Sequence, residues 1–330
     1  MSEFGGVDVA RQPYYFANGL MIRNSICAAP IDRQWGLVNG AVSRWDCDFH
    51  RQHARYVGLD IVGSAYVSTR GCTARGSLSV AGDDMISGLQ RLTTTIHQQG
   101  ARAILQLVHA GQRAIAVMPD DQWVARGPSS SKTPPTHALS VAQLAMIIEQ
   151  FGQATRRAMA AGFDGVEIHG ANHFLLQQFM SPLTNQRTDS YGGSLVNRLR
   201  LPIQIARRVL QEAQSSQRPF IVGYRLSPEE RLTGGLELSD QLFLMRCLAA
   251  LPVDYLSLSL HHYWQLPLTL KSPRPTAVLA KRFIPQVPLM VAGKVVSSRD
   301  LNQLADWQIE LVGVGRALLR DPQWPRRVQS

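Results

Sequence analysis

Residues 164–170 read DGVEIHG, a short apolar run that follows a long helical pattern and ends in a histidine and a glycine. Seven more runs of this kind recur along the chain, with helical stretches between them. They are NSICAAP (24–30), DIVGSAY (60–66), AILQLVH (103–109), FIVGYRL (220–226), DYLSLSL (254–260), PLMVAGK (288–294) and ELVGVGR (310–316). Most are too continuously apolar to be half-solvated antiparallel strands. Eight β-α repeats without a linker predict an α/β fold in which residues 1–330 form one domain, an eight-stranded parallel (β/α)8 TIM barrel.

Two of the predicted helices have recognisable ends. Ser140 and Gln143 form a capping box ahead of a helical run of apolar residues. Ser194 is a candidate cap for a second helix, in which Pro202 predicts either a kink or the true start of the helix. Both helices precede a predicted strand, as the barrel requires.

The composition excludes several classes of protein. The 330 residues are 45% hydrophobic and 18% charged, which excludes disorder as the main state. The four cysteines are too widely spaced for a metal cage or a dense disulfide framework, so a cytoplasmic location is expected. Residues 1–16 lack a secretion signal, and no apolar run is long enough for a membrane span. The net charge of +10 comes mainly from scattered arginines, so we expect neither nucleic acid nor a membrane as a partner.

Polar residues gather at the ends of the predicted strands. In a TIM barrel the strand C-termini and the loops after them build the active site, and the loops 110–139 and 170–195 are unusually long here. The strand-end candidates are Gln106, His109, His169, Asn172, Arg225, Lys294 and Arg316. His169 and Asn172 both donate hydrogen bonds without a fixed charge, so together they suit a carbonyl, phenolate or nitro oxygen. Alternatively, Asn172 only caps the turn. No metal site is expected, because His169 lacks further ligands at metal-binding spacing.

The last two strands end in Gly293-Lys294 and Gly315-Arg316. Glycine allows the backbone to approach an anion closely, and the loops after the seventh and eighth strands of TIM barrels often bind a phosphate. The adjacent cations favour the same ligand. The pattern therefore indicates a phosphate-bearing ligand, with a pair of tight turns bearing solvated charges as the alternative.

Residues 161–200, AGFDGVEIHGANHFLLQQFMSPLTNQRTDSYGGSLVNRLR, closely resemble the signature of the Old Yellow Enzyme family. The likeness extends through RNSICAAP, ILQLVHAG, GYRLSP and LVGVGRALLRDP along nearly the whole chain. The resemblance implies a TIM-barrel enzyme with FMN at the C-terminal face. It would be an ene-reductase-like oxidoreductase that passes a hydride from NADPH or NADH through FMN to enones, quinones or nitro compounds. His169 and Asn172 match the family's pair that binds the acceptor oxygen.

The resemblance also assigns the cofactor-binding positions. Gln106 would bind the pyrimidine edge of the flavin, and Arg225 would lie near N1 and O2 and stabilise the negative charge of the reduced flavin. The other cofactor-binding positions would be Ala29, Pro30 and Ala65 at the isoalloxazine ring and Gly293, Lys294, Gly315 and Arg316 at the phosphate.

The chain departs from the family pattern around the acceptor. The tyrosine that usually protonates the acceptor is replaced by Phe174, which has no proton to give. Tyr66 and His173 are candidate substitutes, and Phe174, Tyr66 and Gln34 are expected in the substrate pocket. Asp32 replaces the threonine or cysteine near flavin O4 and N5, where an ionised carboxylate would oppose electron gain and a protonated one would donate a hydrogen bond.

These departures leave two alternatives open. One is an FMN-binding sensor or sequestering module that has lost ene-reductase turnover. The other is a flavoenzyme similar to tRNA dihydrouridine synthases, although no catalytic cysteine or RNA-binding appendage can be placed. The cysteine-rich extension of the larger relatives is absent, so electrons are expected to enter directly from the nicotinamide. The sequence leaves open the acceptor, the preference between NADH and NADPH, and whether the chain forms homo-oligomers.

Overall fold

The computed structural model describes residues 12–118, 120 and 122–329. Residues 1–11, part of the stretch in which no secretion signal is expected, lie outside the described part. Eight parallel strands form a closed barrel, in which each strand pairs with the next and the eighth pairs back to the first. They are β1 (Ile26–Ala28), β2 (Leu59–Tyr66), β3 (Arg102–Val108), β4 (Gly165–Gly170), β5 (Ile221–Leu226), β6 (Tyr255–Ser259), β7 (Leu289–Ala292) and β8 (Leu311–Val314). The predicted (β/α)8 barrel is thus confirmed, strand by strand.

Helices connect the strands and cover the outside of the barrel. They are α1 (Arg44–His53), α2 (Ile86–Gln98), α3 (Val141–Ala160), α4 (Leu175–Met180), α5 (Leu195–Arg198), α6 (Arg200–Ala213), α7 (Leu238–Ala249), α8 (Thr276–Phe283), α9 (Ser298–Asp306), α10 (Arg316–Arg320) and α11 (Trp324–Gln329). Every residue of β4 and β5 is buried, because helices cover one face of these strands and the barrel interior takes the other. Within the described residues, no helix is both long enough and apolar enough to cross a membrane.

The helix signals of the sequence behave as predicted. The Ser140 hydroxyl accepts a hydrogen bond from the Gln143 backbone N–H, and the Gln143 side-chain oxygen accepts one from the Ser140 N–H. These two bonds fix the start of α3. The chain turns at Leu199 between α5 and α6, and Pro202 lies in the first turn of α6. A helix N–H in the first turn has no partner within the helix, so proline marks the start of α6 rather than kinking it.

The two ends of the barrel differ in polarity. The interior at the N-terminal end is apolar, and the hairpin Tyr14–Tyr15/Met21–Ile22 packs Phe16 and Leu20 against it. The C-terminal end instead holds polar inward-facing residues of β3, β4 and β5. Because an apolar plug closes one end, a ligand has access to the barrel interior only from the C-terminal face.

The two long loops are structured and joined to each other at this face. The loop 110–139 contains the short strands Ala125–Gly127, Ser131–Lys132 and Pro135–Ala138. In the loop 170–195, Arg187 donates from Nη1 to the carbonyl oxygens of Pro128 and Leu139, at 2.9 and 2.6 Å. Asp189 accepts from the same guanidinium and orients it. The arginine and aspartate of the RTD sequence therefore tie one active-site loop to the other.

Candidate active site

A cavity of about 520 Å³ opens at the C-terminal ends of β1, β7 and β8. Its lining includes every predicted cofactor-binding residue except Ala65 and Gln106. Those residues are Ala29, Pro30, Arg225, Gly293, Lys294, Gly315 and Arg316. A fourth cation, Arg320 of α10, also lines the cavity and was not anticipated from the sequence. The structure therefore brings the two Gly-cation pairs together as one positively charged wall, as a phosphate requires.

The backbone at this wall is shaped for close approach. A side chain at Gly293 would meet backbone atoms of Leu260, His262 and Tyr263 at 3.0 Å. At Gly315 an added Cβ would find its nearest neighbour, a methyl carbon of Ile31, 3.6 Å away. Packing within the protein does not require a glycine there, so the open space at Gly315 is available to a ligand. The positions fit the phosphate end of FMN.

Arg225 lies at the inner side of the same cavity with only 8% of its surface exposed. Its Nη2 donates to the Ser259 hydroxyl at 3.0 Å. Within the described part of the chain, the buried Nε and Nη1 atoms have no hydrogen-bond partner. Burial lowers the pKa of Arg225, although the Glu167 carboxylate opposes this change. A buried guanidinium with two unused donors fits a ligand that presents carbonyl or anionic atoms, as the flavin pyrimidine does.

A network of buried hydrogen bonds centred on Glu167 lies close to this arginine. The Gln106 amide donates to Glu167 Oε1 at 2.6 Å, and the Tyr255 hydroxyl donates to Glu167 Oε2 at 3.1 Å. Burial raises the pKa of Glu167, while the charge on Arg225 opposes the increase. Glu167 was missed as a functional residue, although an acidic residue in the middle of the apolar run DGVEIHG was a usable signal. It fixes one side of Gln106 and provides Arg225 with a buried counter-charge.

His169 stands directly opposite Arg225 in the pairing of β4 with β5. Its Nδ1 accepts a hydrogen bond from the Ala171 N–H at 3.2 Å, so the proton of the neutral ring belongs on Nε2. Burial, together with the charge on Arg225, holds the pKa of His169 well below its usual value. The ring is therefore neutral at physiological pH and presents Nε2–H as a donor.

Asn172 follows in a left-handed conformation, with φ of 57°, that asparagine tolerates better than most residues. Its backbone N–H donates to the Ser227 hydroxyl at 3.0 Å, and its Oδ1 accepts from the Ser259 hydroxyl at 3.2 Å. The residue does shape the turn, as the structural alternative held. Its side-chain amide is nevertheless exposed at the edge of the site with Nδ2 available.

Phe174 occupies the position beside the two donors. Its ring meets that of His169 edge to face, with centroids 4.9 Å apart at 87°. The Arg113 guanidinium carbon lies 5.4 Å from the centre of the Phe174 ring, and Arg113 Nη1 donates to the Asn172 carbonyl at 2.8 Å. A phenylalanine ring has no hydroxyl, so the side chain at this position cannot donate a proton.

The other residues proposed for the substrate pocket or for proton transfer are placed differently. Tyr66 is fully buried, and its hydroxyl donates to the Asn39 carbonyl at 3.0 Å. His173 has an exposed side chain 3.3 Å from the Glu230 carboxylate. Gln34 lies in an exposed turn, outside the two large cavities of the described residues. Tyr66 nevertheless shares a small apolar cluster with Phe174, and His173 lines a second cavity together with Asn172. His109 is buried, and its Nδ1 accepts from the Gly111 N–H, a structural role within a turn.

Asp32 turns toward the loop after β2. Its carboxylate accepts from Ser77 Oγ at 2.5 Å, from Thr73 Oγ1 at 3.3 Å and from the Gln34 N–H at 3.0 Å. Burial raises the pKa of Asp32, whereas these three hydrogen bonds stabilise the ionised form and limit the increase. Three hydrogen bonds thus fix the position of the Asp32 carboxyl group.

A second cavity of about 570 Å³ adjoins the first at Leu260, between the loops after β5 and β6. Asn172, Ser227 and Ser259 lie in its wall. The amide of Asn172 is therefore reachable from a space large enough for a small organic molecule.

Comparison with known proteins agrees with this geometry. The model of the NADH:flavin oxidoreductase / NADH oxidase family matches residues 12–330. The chain is 36% identical over 325 residues to the probable NADH-dependent flavin oxidoreductase YqiG of Bacillus subtilis (strain 168), covering 97% of this chain and 87% of that protein. It is 35% identical over 335 residues to the NADH:fumarate oxidoreductase of Klebsiella pneumoniae (strain 342), covering 97% of this chain. The match spans only 36% of that longer protein.

Solved structures show the same fold. Morphinone reductase superposes with a TM-score of 0.86 at 25% sequence identity, over 99% of this chain and 91% of that chain. Morphinone reductase in complex with tetrahydroNAD gives a TM-score of 0.83 at 25% identity, over 97% of this chain and 90% of that chain.

Proposed function

Because the chain belongs to the NADH:flavin oxidoreductase / NADH oxidase family, and is thus an FMN-dependent oxidoreductase of the Old Yellow Enzyme type that uses NADH or NADPH, we propose that it reduces small electrophilic acceptors. The acceptors proposed are enones and other activated alkenes, quinones and nitro compounds. The observation that carries the proposal is the buried His169 donor, paired across the strands with a buried arginine that has unused donors and followed three residues later by the exposed Asn172 amide. FMN, when bound, takes up reducing equivalents from the nicotinamide and returns them to the acceptor.

We assign FMN to the cavity at the ends of β1, β7 and β8. Arg225 would donate from Nε and Nη1 to the pyrimidine side of the flavin, and Gln106 would contribute from β3. Lys294 and Arg316, with the open backbone at Gly315, would hold the phosphate. Ala29, Pro30 and Ala65 would pack on the ring. Arg225 would also stabilise negative charge on that side of the ring, because guanidinium stays protonated.

The acceptor oxygen would bind between His169 Nε2 and Asn172 Nδ2. Negative charge grows on this oxygen as the carbon conjugated to it is reduced, so fixed donors stabilise the transition state more than the ground state. A neutral histidine serves this purpose well, since it does not bind an anionic product as tightly as a charged one. Phe174 would supply an apolar wall against the acceptor, with its edge on His169.

Phe174 narrows the choice among acceptors. An alkene needs a proton on carbon, and the side chain at this position cannot donate one. Tyr66 does not substitute, because its hydroxyl already donates to the Asn39 carbonyl and burial raises its pKa. We therefore propose a preference for quinones and nitro compounds, whose products take protons on oxygen or nitrogen directly from water.

Asp32 would adjust the ease of flavin reduction. Its ionised form adds negative charge near the ring position implied by the family pattern, which opposes uptake of electrons. Burial raises the pKa of Asp32, so its charge changes with pH nearer to neutrality than that of an ordinary aspartate. Tyr66 and Gln34 stay proposed residues of the substrate pocket: Tyr66 shares an apolar cluster with Phe174, and the Gln34 N–H donates to Asp32.

One alternative has specific support. Phe174 and Asp32 would both suit a flavin-binding sensor or sequestering module without turnover. The flavin of such a module would not be reoxidised by any organic acceptor. The reduced flavin of the enzyme proposed here would be reoxidised by a quinone or a nitro compound.

Anaerobic titration of the holoenzyme with NADPH and then NADH tests the proposal. Either nicotinamide should bleach the flavin absorption, and a quinone or nitro compound should restore it faster than an enone does. Fumarate belongs in the acceptor panel, because the Klebsiella relative is named an NADH:fumarate oxidoreductase. If both nicotinamides leave the spectrum unchanged, or no acceptor restores it, the proposal is wrong.

The acceptor clamp is tested separately. His169→Ala combined with Asn172→Ala should weaken phenol binding and slow reoxidation by the acceptor while FMN stays bound. An unchanged phenol affinity in this double variant would overturn the clamp.

A further inference from the structure

Ser259, the last residue of β6, connects the two halves of the site. Its hydroxyl oxygen accepts from Arg225 Nη2 at 3.0 Å, and its hydrogen is donated to Asn172 Oδ1 at 3.2 Å. We infer that Ser259 is a positioning residue that orients the Asn172 amide so that Nδ2 faces the acceptor. The inference rests on the proposed function, because it deepens the role of Asn172 as an acceptor donor.

The direction of the two hydrogen bonds follows from the chemistry of the groups. A guanidinium only donates, so the Ser259 oxygen is the acceptor of its bond with Arg225. The hydroxyl has a single hydrogen, and within the described residues Asn172 Oδ1 is the acceptor in reach for it. Reversing the Asn172 amide would leave this hydrogen without an acceptor. The chain from Arg225 through Ser259 to Asn172 therefore has one favoured polarity.

Ser259 contacts the side-chain amide of Asn172 rather than its backbone. The Asn172 backbone is held by two other residues: Ser227 accepts from its N–H, and Arg113 donates to its carbonyl. The side chain is exposed, and among the described residues Ser259 is the hydrogen-bond partner of its amide. Without that hydroxyl, the amide can rotate while the turn keeps its shape. An amide that faces the acceptor for only part of the time binds it more weakly.

The test compares holoenzyme variants by titration with 4-hydroxybenzaldehyde, whose phenolate forms near neutral pH. Change in the flavin absorption reports binding. Ser259→Ala should weaken binding by about threefold to tenfold, the range for loss of one neutral hydrogen bond. Ser259→Thr keeps the hydroxyl and should retain the affinity of the unmodified protein. With a quinone acceptor, Ser259→Ala should raise KM by a similar factor, a change that Ser259→Thr should not show.

A double-mutant cycle separates positioning from other roles. In the Asn172→Ala background, Ser259→Ala should have no further effect on phenol affinity, because its action passes through the missing amide. A full additional loss in the double variant, or a loss in Ser259→Thr equal to that in Ser259→Ala, would overturn the inference.

The same experiment distinguishes this inference from the proposed function. If Asn172→Ala weakens phenol binding and Ser259→Ala does not, the clamp stands and the role of Ser259 is wrong. If Asn172→Ala has no effect, the clamp itself fails and the role of Ser259 fails with it.

Discussion

Replacing Arg225 by alanine is expected to weaken FMN binding by about 10²- to 10⁴-fold. The guanidinium is buried, and its Nε and Nη1 atoms have no partner within the described chain. Each would make a charge-assisted hydrogen bond to the flavin, worth about 1.5–3 kcal/mol, or about 3–6 kcal/mol together. At about 1.4 kcal/mol for each factor of ten, this gives the stated range in Kd. Water that fills the vacated space will recover part of the loss, so we expect the lower end.

The assay is titration of FMN-free protein with FMN and, separately, with riboflavin, followed by quenching of flavin fluorescence. Arg225→Ala should weaken both ligands by a similar factor, because both contain the pyrimidine ring. Arg316→Ala is the matched control at the other end of the cavity. It should weaken FMN binding by about twofold to fivefold, as for an exposed ion pair, and leave riboflavin binding unchanged.

The two ligands also define how the reasoning can fail. If Arg225→Ala binds both flavins within threefold of the unmodified protein, its unused donors do not contact the ring. If it loses affinity for FMN and keeps it for riboflavin, Arg225 belongs to the phosphate end. Thermal unfolding of the FMN-free variants separates a local effect from loss of the fold, since Arg225 also faces the buried Glu167.

Three further predictions concern acceptor chemistry, redox tuning and stability. Phe174→Tyr should raise enone turnover at least several-fold without changing flavin reduction by NADPH in stopped-flow measurements; an unchanged rate means that protonation is not limiting. At pH values above neutrality, Asp32→Asn should raise the FMN reduction potential, because it removes the negative charge of the carboxylate. The substitution should also flatten the dependence of the potential on pH, because burial raises the pKa of Asp32; parallel potential-pH curves for the two proteins would contradict this role. Although burial opposes ionisation of Glu230, hydrogen bonds from His173 and Ser181 lower its pKa to about 2. Its carboxylate therefore stabilises the fold fully at pH values above 4.5, the ordinary pKa of glutamate. This contribution is lost as the pH falls toward 2. Urea unfolding should show Glu230→Gln less stable near neutral pH, with the difference shrinking in acid.

Local sequence patterns were sufficient for the barrel. Each strand is a continuous apolar run, α3 and α5 begin at serine caps, and α6 has a proline in its first turn, so neighbouring residues alone specify these elements. The Gly-Lys and Gly-Arg pairs at the ends of β7 and β8 could be identified from the sequence for the same reason. Parallel strands end at one face of a closed barrel, which brings these two pairs to one cavity without any further information.

The network around the site depends on the tertiary structure. Glu167 meets Gln106 and Tyr255, and Ser259 joins Arg225 to Asn172, across separations of 34 to 88 residues. Such contacts are set by the register of neighbouring strands and by which side chains point inward. A change of one residue in register would send each of these groups to the helical face. The sequence by itself therefore determined the barrel, the cofactor and the residues with the right chemistry. Only barrel closure decided which donors pair with one another, which remain free for ligands, and that Gln34 lies outside the two large cavities of the described residues.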